Sequence, residues 1–205
     1  MNSFESFLLN SGLSWTSSKV IPYLLMILIG IILVVLLKRI LKLKNKPVKI
    51  IIQLLFFILP FIIYFISTPI YEGDFSNNSI EINRSDENKE LQGKKLVVLS
   101  IPGCQYCFAA IGRMKKLKER VPSLEIEYLL CSNDSINNPS YLKWYSDEAN
   151  NAFDISVAEN VEAMSKLAEG VFPTFVLVNN NEPLKKWSND SFGVVALDEL
   201  EISIE

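Results

Sequence analysis

The chain has 205 residues, of which 49% are hydrophobic, and it carries a formal net charge of −3. Its charges are unevenly distributed: residues 1–70 hold seven basic residues and one acid, whereas residues 71–205 hold 13 basic residues and 22 acids. The acidic second part argues against a nucleic-acid partner. The chain has no histidine and only three cysteines, which disfavours a zinc site and excludes a C-x-x-C-H haem attachment.

Two long apolar segments dominate the N-terminal third. Before them, within an N-terminal segment at 1–19, residues 2–15 mix aromatic and polar side chains, which predicts a short helix at a membrane surface or a disordered tail. Residues 20–37 contain no charged residue, and Lys49 is the single charged residue in 48–70. About 20 apolar residues suffice to cross a bilayer, so residues 20–70 predict a two-helix transmembrane hairpin. The alternative is a pair of helices buried in a soluble core, but such helices are seldom apolar on every face.

The loop between these segments, residues 38–49, is strongly basic. It contains no acid, and its positive charges are Lys38, Arg39, Lys42, Lys44, Lys46 and Lys49. The positive-inside rule places this loop in the cytoplasm and both termini outside it. The sequence therefore predicts a two-pass protein of the bacterial inner (cytoplasmic) membrane, with the lipid bilayer as a partner. We expect no cleaved signal peptide, because no basic segment precedes the first span.

The rest of the chain predicts a linker and one domain. Residues 71–93 are rich in Asn, Ser and acids, as in a solvated linker. Residues 94–205 are enough for a small domain with its own core. Their patterns predict strands at 96–100, 124–131, 174–178 and 184–187, and a turn at 179–183 joins the last two strands. They also predict helices from 104 to Pro122, at 138–150 and at 157–169. Residues 197–204 are predicted as a helix or a strand.

The most informative motif is Cys104-Gln105-Tyr106-Cys107, which lies between a predicted strand and a predicted helix. Unpaired backbone N–H groups at a helix start favour an anion, so a thiolate there becomes a usable nucleophile. The second sulfur is close enough to form a disulfide with the first. This pattern is typical of thiol–disulfide exchange. The alternative is a permanent structural disulfide, although a bridge closing so short a loop constrains little of the unfolded chain.

The chain resembles the thioredoxin superfamily at two motifs: residues 101–107, which contain the cysteine pair, and residues 170–178, in which Phe172-Pro173 precedes an apolar strand. The resemblance covers residues 94–205. It implies an α/β thioredoxin-like fold, a central mixed sheet flanked by helices, here preceded by two transmembrane helices. It also implies a cis Phe172–Pro173 bond and places Phe172 and Pro173 beside the cysteine pair as substrate-binding residues.

Three features depart from the family's usual pattern. Gly103 replaces the tryptophan that often precedes the first cysteine. Val98 stands where many members have a buried acid, which is implied to assist proton transfer at the second sulfur. Residues 136–166 form a longer segment than in minimal thioredoxins, so we expect an inserted helix there.

The combined prediction is a membrane-anchored extracytoplasmic thiol–disulfide oxidoreductase. Cys104 is the expected attacking thiolate and Cys107 the resolving thiol. Gln105 and Tyr106 are uncharged and are expected to tune the pair weakly, which favours a reductant or isomerase over a strong oxidant.

The expected partners are protein dithiols or disulfides and a separate electron donor or acceptor, since the membrane part contains no cysteine. No metal or other cofactor is expected, and Cys131 is assigned no role. The alternative function is a non-catalytic thioredoxin-like binding module of a membrane complex. The basic side chains of the helix after the motif, Arg113, Lys115, Lys116, Lys118 and Arg120, are predicted to form a solvated face.

Overall fold

A computed structural model of the chain describes residues 2–40, 45–70, 73–82, 91–179 and 184–204. It divides into two compact units, Met1–Glu72 and Gly73–Glu205. Some of the features predicted from sequence lie outside the described residues: Lys42 and Lys44 of the basic loop, residues 83–90 of the predicted linker and residues 180–183 of the predicted turn.

The first unit is helical, with α1 at Ser3–Asn10, α2 at Trp15–Ile40 and α3 at Lys46–Ser67. Helices α2 and α3 are long and apolar enough to cross a membrane, and the mean hydropathy of their most apolar windows is 3.1 and 2.6. Only 11% and 6% of those windows is buried within the protein. The two helices therefore lack the burial that a soluble core would provide, and they fit a membrane anchor.

The N-terminal segment is a helix rather than a disordered tail. Asn2 and Glu5 form a capping box at the start of α1, in which each side chain accepts a hydrogen bond from the other residue's backbone N–H. The Asn2 amide donates to the Tyr64 hydroxyl, and that hydroxyl donates to Glu5 Oε1, both over 3.1 Å. Helices α2 and α3 approach closely at Gly30, where a Cβ atom would lie 2.8 Å from the Phe57 carbonyl oxygen.

The second unit contains a six-stranded mixed sheet. Its strands are β1 at Ile80–Ile82, β2 at Lys95–Ser100, β3 at Glu125–Leu130, β4 at Asp154–Val157, β5 at Thr174–Val178 and β6 at Leu184–Ser188. Their order in the sheet is β1-β6-β5-β2-β3-β4. Strands β2, β3 and β4 are parallel, whereas β5 is antiparallel to β2 and β6, and β1 is antiparallel to β6.

Helices cover both faces of this sheet. They are α4 at Gln105–Arg120, α5 at Asn138–Ala149, α6 at Val161–Ala168 and α7 at Val194–Ile204, with a 3₁₀ turn at Asn189–Ser191 before α7. The apolar positions that predicted α4 are all buried: Cys107, Ala110, Ile111, Met114 and Leu117. Strand side chains alternate between faces, so Val97 and Leu99 pack in a core with Met164 of α6, whereas Val98 faces the other way, under α4. The predicted fold class, a central mixed sheet flanked by helices, is confirmed.

The region of β4 and α6 differs from the sequence prediction. The predicted helix at 157–169 is shorter, because Asp154–Val157 pairs with β3 as an edge strand and Asn160 then caps α6 by accepting from the Ala163 N–H at 3.0 Å. A strand this short, with only one partner strand, has no clear period in the sequence. The final segment, for which helix and strand were both open, is the helix α7.

Residues 73–82, predicted as part of the linker, belong to the second unit. Strand β1 pairs with β6, and the backbone N–H of Gly193 donates to Ser76 O at 3.0 Å. The Trp187 indole also donates to the Asn77 side chain at 3.1 Å. The segment is polar, so its composition alone suggests solvation, but these contacts of its backbone and of the Asn77 amide attach it to the sheet and to the turn before α7.

Candidate functional site

The cysteine pair lies where β2 passes into α4. Gly103 has a φ of +70°, a conformation that L side chains rarely adopt, and a Cβ atom there would meet nothing within 4 Å. The turn therefore requires glycine for its backbone conformation rather than for space. Cys104 follows in an extended conformation as the N-cap of α4.

Cys104 and Cys107 form a disulfide, with their Cα atoms 5.2 Å apart. Cys107 is completely buried, whereas Cys104 is only partly buried. The backbone N–H of Cys107 donates to Cys104 Sγ over 3.1 Å. This N–H is one of the first-turn donors that lack a partner within the helix, and the same contact would stabilise a thiolate on Cys104 after reduction.

The proline loop lies beside the more exposed sulfur. The Phe172–Pro173 peptide bond is cis, as the resemblance implied, and Pro173 is buried immediately before β5. The Phe172 carbonyl oxygen is 3.9 Å from Cys104 Sγ, although the two residues are 68 positions apart in the sequence. The Thr174 hydroxyl donates to the Val171 carbonyl over 2.6 Å and holds the loop. Both sequence motifs therefore meet at one site.

Gln105 and Tyr106 lie on the solvent side of the disulfide. Both are exposed, and 69% of Tyr106 is accessible. Their proposed influence on the redox properties of the pair stays a prediction. The third cysteine, Cys131, is outside the disulfide and is buried in the core against α6.

Behind the disulfide lies an aromatic layer that the sequence reading missed. Val98 is fully buried and is flanked in register by Tyr128 of β3 and Phe175 of β5. The Tyr128 hydroxyl donates to the Cys107 carbonyl oxygen. The Tyr145 hydroxyl donates to the Ile101 carbonyl oxygen at 3.1 Å, and the rings of the two tyrosines are 5.8 Å apart.

Both tyrosines are donors at neutral pH. Burial raises the pKa of the Tyr128 hydroxyl well above its ordinary value, and it raises the pKa of Tyr145 to about 12. The signal that could have pointed to Tyr128 is its place in β3, where it alternates in phase with the apolar Ile126 and Leu130. A tyrosine buried at such a position usually finds a hydrogen-bond partner.

The prediction of a solvated basic face on α4 is wrong for Arg113 and Arg120. The Arg113 guanidinium donates to Phe192 O at 2.8 Å and to Asn189 Oδ1 at 3.0 Å, and it lies 5.4 Å from the centre of the Phe175 ring. Burial lowers its pKa. Arg120 forms a two-point ion pair with Glu201 of α7, at 2.6 and 2.9 Å. Both side chains thus hold the C-terminal segment against α4, and sequence periodicity could not show that this segment packs there.

The sheet order, the cysteine pair at the start of α4 and the cis-proline loop beside it define a thioredoxin-like domain. A partly exposed sulfur backed by a buried one is an arrangement that can carry out thiol–disulfide exchange.

No family model and no curated protein matches the chain. A secreted Mycobacterium tuberculosis disulfide oxidoreductase, described as homologous to E. coli DsbE, is 18% identical with a TM-score of 0.42, over 56% of this chain and 83% of its own. The thioredoxin domain of a Bacteroides vulgatus thiol-disulfide oxidoreductase is 14% identical with a TM-score of 0.45, over 66% of this chain and 100% of its own. A SCO1/SenC family lipoprotein from Bacillus anthracis is 14% identical with a TM-score of 0.39, over 64% and 94%.

Proposed function

We propose that the protein is a membrane-anchored thiol–disulfide oxidoreductase that acts on protein disulfides outside the cytoplasm. The observation that carries this proposal is the juxtaposition of the Cys104–Cys107 pair and the proline loop, with Phe172 O 3.9 Å from Cys104 Sγ. A permanent structural disulfide would not require a partly exposed sulfur at a helix start, facing an ordered loop from another part of the chain.

In the reducing direction, the Cys104 thiolate attacks one sulfur of a substrate disulfide. A mixed disulfide forms, and the other substrate sulfur leaves as a thiolate. The Cys107 thiol then attacks Cys104 Sγ, the Cys104–Cys107 disulfide forms, and the second substrate sulfur leaves and takes up a proton. The substrate gains two electrons, and a separate dithiol donor must return two electrons to the pair. Phe172 and Pro173 lie beside Cys104 and are proposed to contact the substrate chain.

The neutrality of the residues between the cysteines supports a reductant or isomerase role. Gln105 and Tyr106 supply no positive charge to stabilise the Cys104 thiolate further. A strongly stabilised thiolate makes the reduced form more stable and the pair more oxidising. We therefore propose that this pair is not a strong oxidant.

The two apolar helices support a membrane anchor, and the basic loop supports its orientation. We propose a two-pass inner-membrane topology, with residues 38–49 cytoplasmic and both termini outside. The residue ranges 1–19, 20–70, 71–93 and 94–205 predicted from sequence are proposed as functional segments, with residues 73–82 reassigned to the thioredoxin-like domain.

Cysteine labelling tests this topology. In a chain with all native cysteines changed to serine, Asn10→Cys is expected to react with a membrane-impermeant maleimide in intact spheroplasts, because it lies on the outer side. Asn45→Cys is expected to react only after permeabilisation. Both positions are exposed, so they form a matched pair. Labelling of position 45 in intact spheroplasts would overturn the proposed orientation.

A trapped intermediate tests the proposed reaction. In the full-length Cys107→Ser protein, purified in detergent, attack by Cys104 on insulin should give a mixed disulfide that persists, because no thiol is left to resolve it. The product is measured as a covalent complex by mass spectrometry under non-reducing conditions. The Cys104→Ser/Cys107→Ser chain is the matched control and should give no complex. Equal amounts of complex from both chains would refute the proposal.

A further inference from the structure

We propose that Tyr128 is a positioning residue for the resolving step, and that it holds the first turn of α4 so that Cys107 is aligned with Cys104. This inference rests on the proposed function, because it concerns the step in which Cys107 breaks the mixed disulfide.

The contact joins a rigid strand to a reactive helix turn. Tyr128 belongs to β3, is completely buried, and donates its hydroxyl to the carbonyl oxygen of Cys107, which is also completely buried. Its ring is packed between Tyr145, at 5.8 Å, and Phe153, at 5.9 Å between ring centres. The ring therefore has little freedom to move, so its hydroxyl fixes the position of the Cys107 backbone relative to the sheet.

The surroundings of Cys107 make its placement important. The strand positions beneath this part of α4 are occupied by Tyr128, Val98 and Phe175, which are adjacent in register and carry no carboxylate. A buried thiol in apolar surroundings ionises reluctantly. As Cys107 Sγ bonds to Cys104 Sγ, the bond from Cys104 to the substrate sulfur breaks, and the thiol proton passes to the departing substrate thiolate. These strand positions hold no carboxylate that could take the proton from Cys107. The rate of the resolving step therefore depends on how closely Cys107 Sγ is held in line with the bond between Cys104 Sγ and the substrate sulfur.

A second tyrosine provides a matched control. Tyr145 also donates its hydroxyl to a backbone carbonyl, that of Ile101, but this residue lies in the turn before Cys104. Tyr145→Phe removes the same chemical group from the same aromatic layer without touching the resolving cysteine. The control therefore separates a general effect of losing a buried hydroxyl from a specific effect on Cys107.

The experiment measures the two steps of exchange separately. Reduced full-length wild-type, Tyr128→Phe and Tyr145→Phe proteins in detergent are mixed with excess insulin, quenched with acid and analysed for mixed disulfide over time. Tyr128→Phe is expected to lengthen the lifetime of the mixed disulfide about tenfold, because a small misplacement of a reacting group has a large effect on rate. In Tyr128→Phe, the rate at which the mixed disulfide forms should stay within about twofold of wild type. In Tyr145→Phe, the lifetime of the mixed disulfide should stay within about twofold of wild type. The rate of formation is not part of this control, because the Tyr145 hydroxyl shares the Ile101 carbonyl with the Cys104 N–H.

The outcomes distinguish failure of the role proposed for Tyr128 from failure of the proposed function. An unchanged lifetime in Tyr128→Phe would overturn the inference, as would a parallel slowing of both steps, which a purely structural role predicts. A wild-type protein that forms no mixed disulfide would instead overturn the proposed function. If Tyr128→Phe does not fold, the wild type is labelled with carbonyl-13C cysteine and compared by infrared spectroscopy in both redox states. Labelled Cys104→Ser and Cys131→Ser chains identify the bands of the other two cysteines, which leaves the Cys107 band. The inference requires the hydrogen-bonded Cys107 carbonyl band in both states, and its loss on reduction would contradict it.

Discussion

Cys104→Ser is expected to slow insulin-disulfide reduction by the full-length protein on the order of a thousandfold or more, because it removes the nucleophile that begins exchange. The contacts of the site meet at Cys104 Sγ. This atom accepts a hydrogen bond from the Cys107 N–H at 3.1 Å and lies 3.9 Å from Phe172 O. Cys107 is completely buried and cannot replace it in the first attack. The measurement is the initial rate of insulin reduction in detergent with dithiothreitol as the electron donor.

The third cysteine supplies the matched control. Cys131 lies in the core against α6, outside the disulfide, and Cys131→Ser should keep the rate within about twofold once corrected for folded protein. Full activity in Cys104→Ser would refute catalysis by the pair. Full complementation of a deletion strain by the double variant Cys104→Ser/Cys107→Ser would favour the alternative function, a non-catalytic binding module.

Gly193→Ala is expected to lower the free energy of unfolding of the thioredoxin-like domain by about 3 kcal/mol, the upper end of typical overpacking costs. A Cβ atom at this position would lie 2.6 Å from Asp74 O and 2.7 Å from Ser76 N, and closer still to Gly73 O. All three are backbone atoms, so a change of side-chain rotamer cannot relieve the contact. The segment that carries β1 would have to move away, and the hydrogen bond from Gly193 N to Ser76 O would break. Denaturant unfolding of the full-length chain, combined with hydrogen exchange of residues 74–82, measures both effects.

Gly112→Ala is the matched control, since a Cβ atom there meets nothing within 4 Å and the residue lies within α4. Alanine has the higher helix propensity, so this change should raise the free energy of unfolding by about 1 kcal/mol. Two glycine-to-alanine changes in one domain should thus act in opposite directions. Unchanged stability and unchanged exchange in Gly193→Ala would show that residues 73–82 do not pack against this position.

Several features were accessible from sequence because they are encoded locally. The apolar lengths of α2 and α3, the strand that precedes Cys104 and the helical spacing after Cys107 each depend on one short stretch of chain. The resemblance added the expectation that Pro173 lies beside the cysteine pair. These patterns were sufficient for the fold class and for a candidate site.

The elements that sequence reasoning missed depend on distant partners. Strand β1 is only three residues long and pairs with β6, which lies about a hundred positions later in the chain. Arg113 has the sequence context of a solvated helix face, yet it is covered by Asn189 and Phe192 of the C-terminal segment. Neither contact leaves a periodic signal in the residues that make it.

The sequence by itself determined two spans long enough for a bilayer and a cysteine pair at the start of a helix, because hydrophobic length and helix-start chemistry are properties of consecutive residues. Only the tertiary structure decided what surrounds the pair: the carbonyl of Phe172 on one side, and Tyr128 behind Cys107 in the space next to Val98. Strand register and helix packing bring these groups together from separate parts of the chain, and both are set by the burial of the whole core rather than by any local pattern.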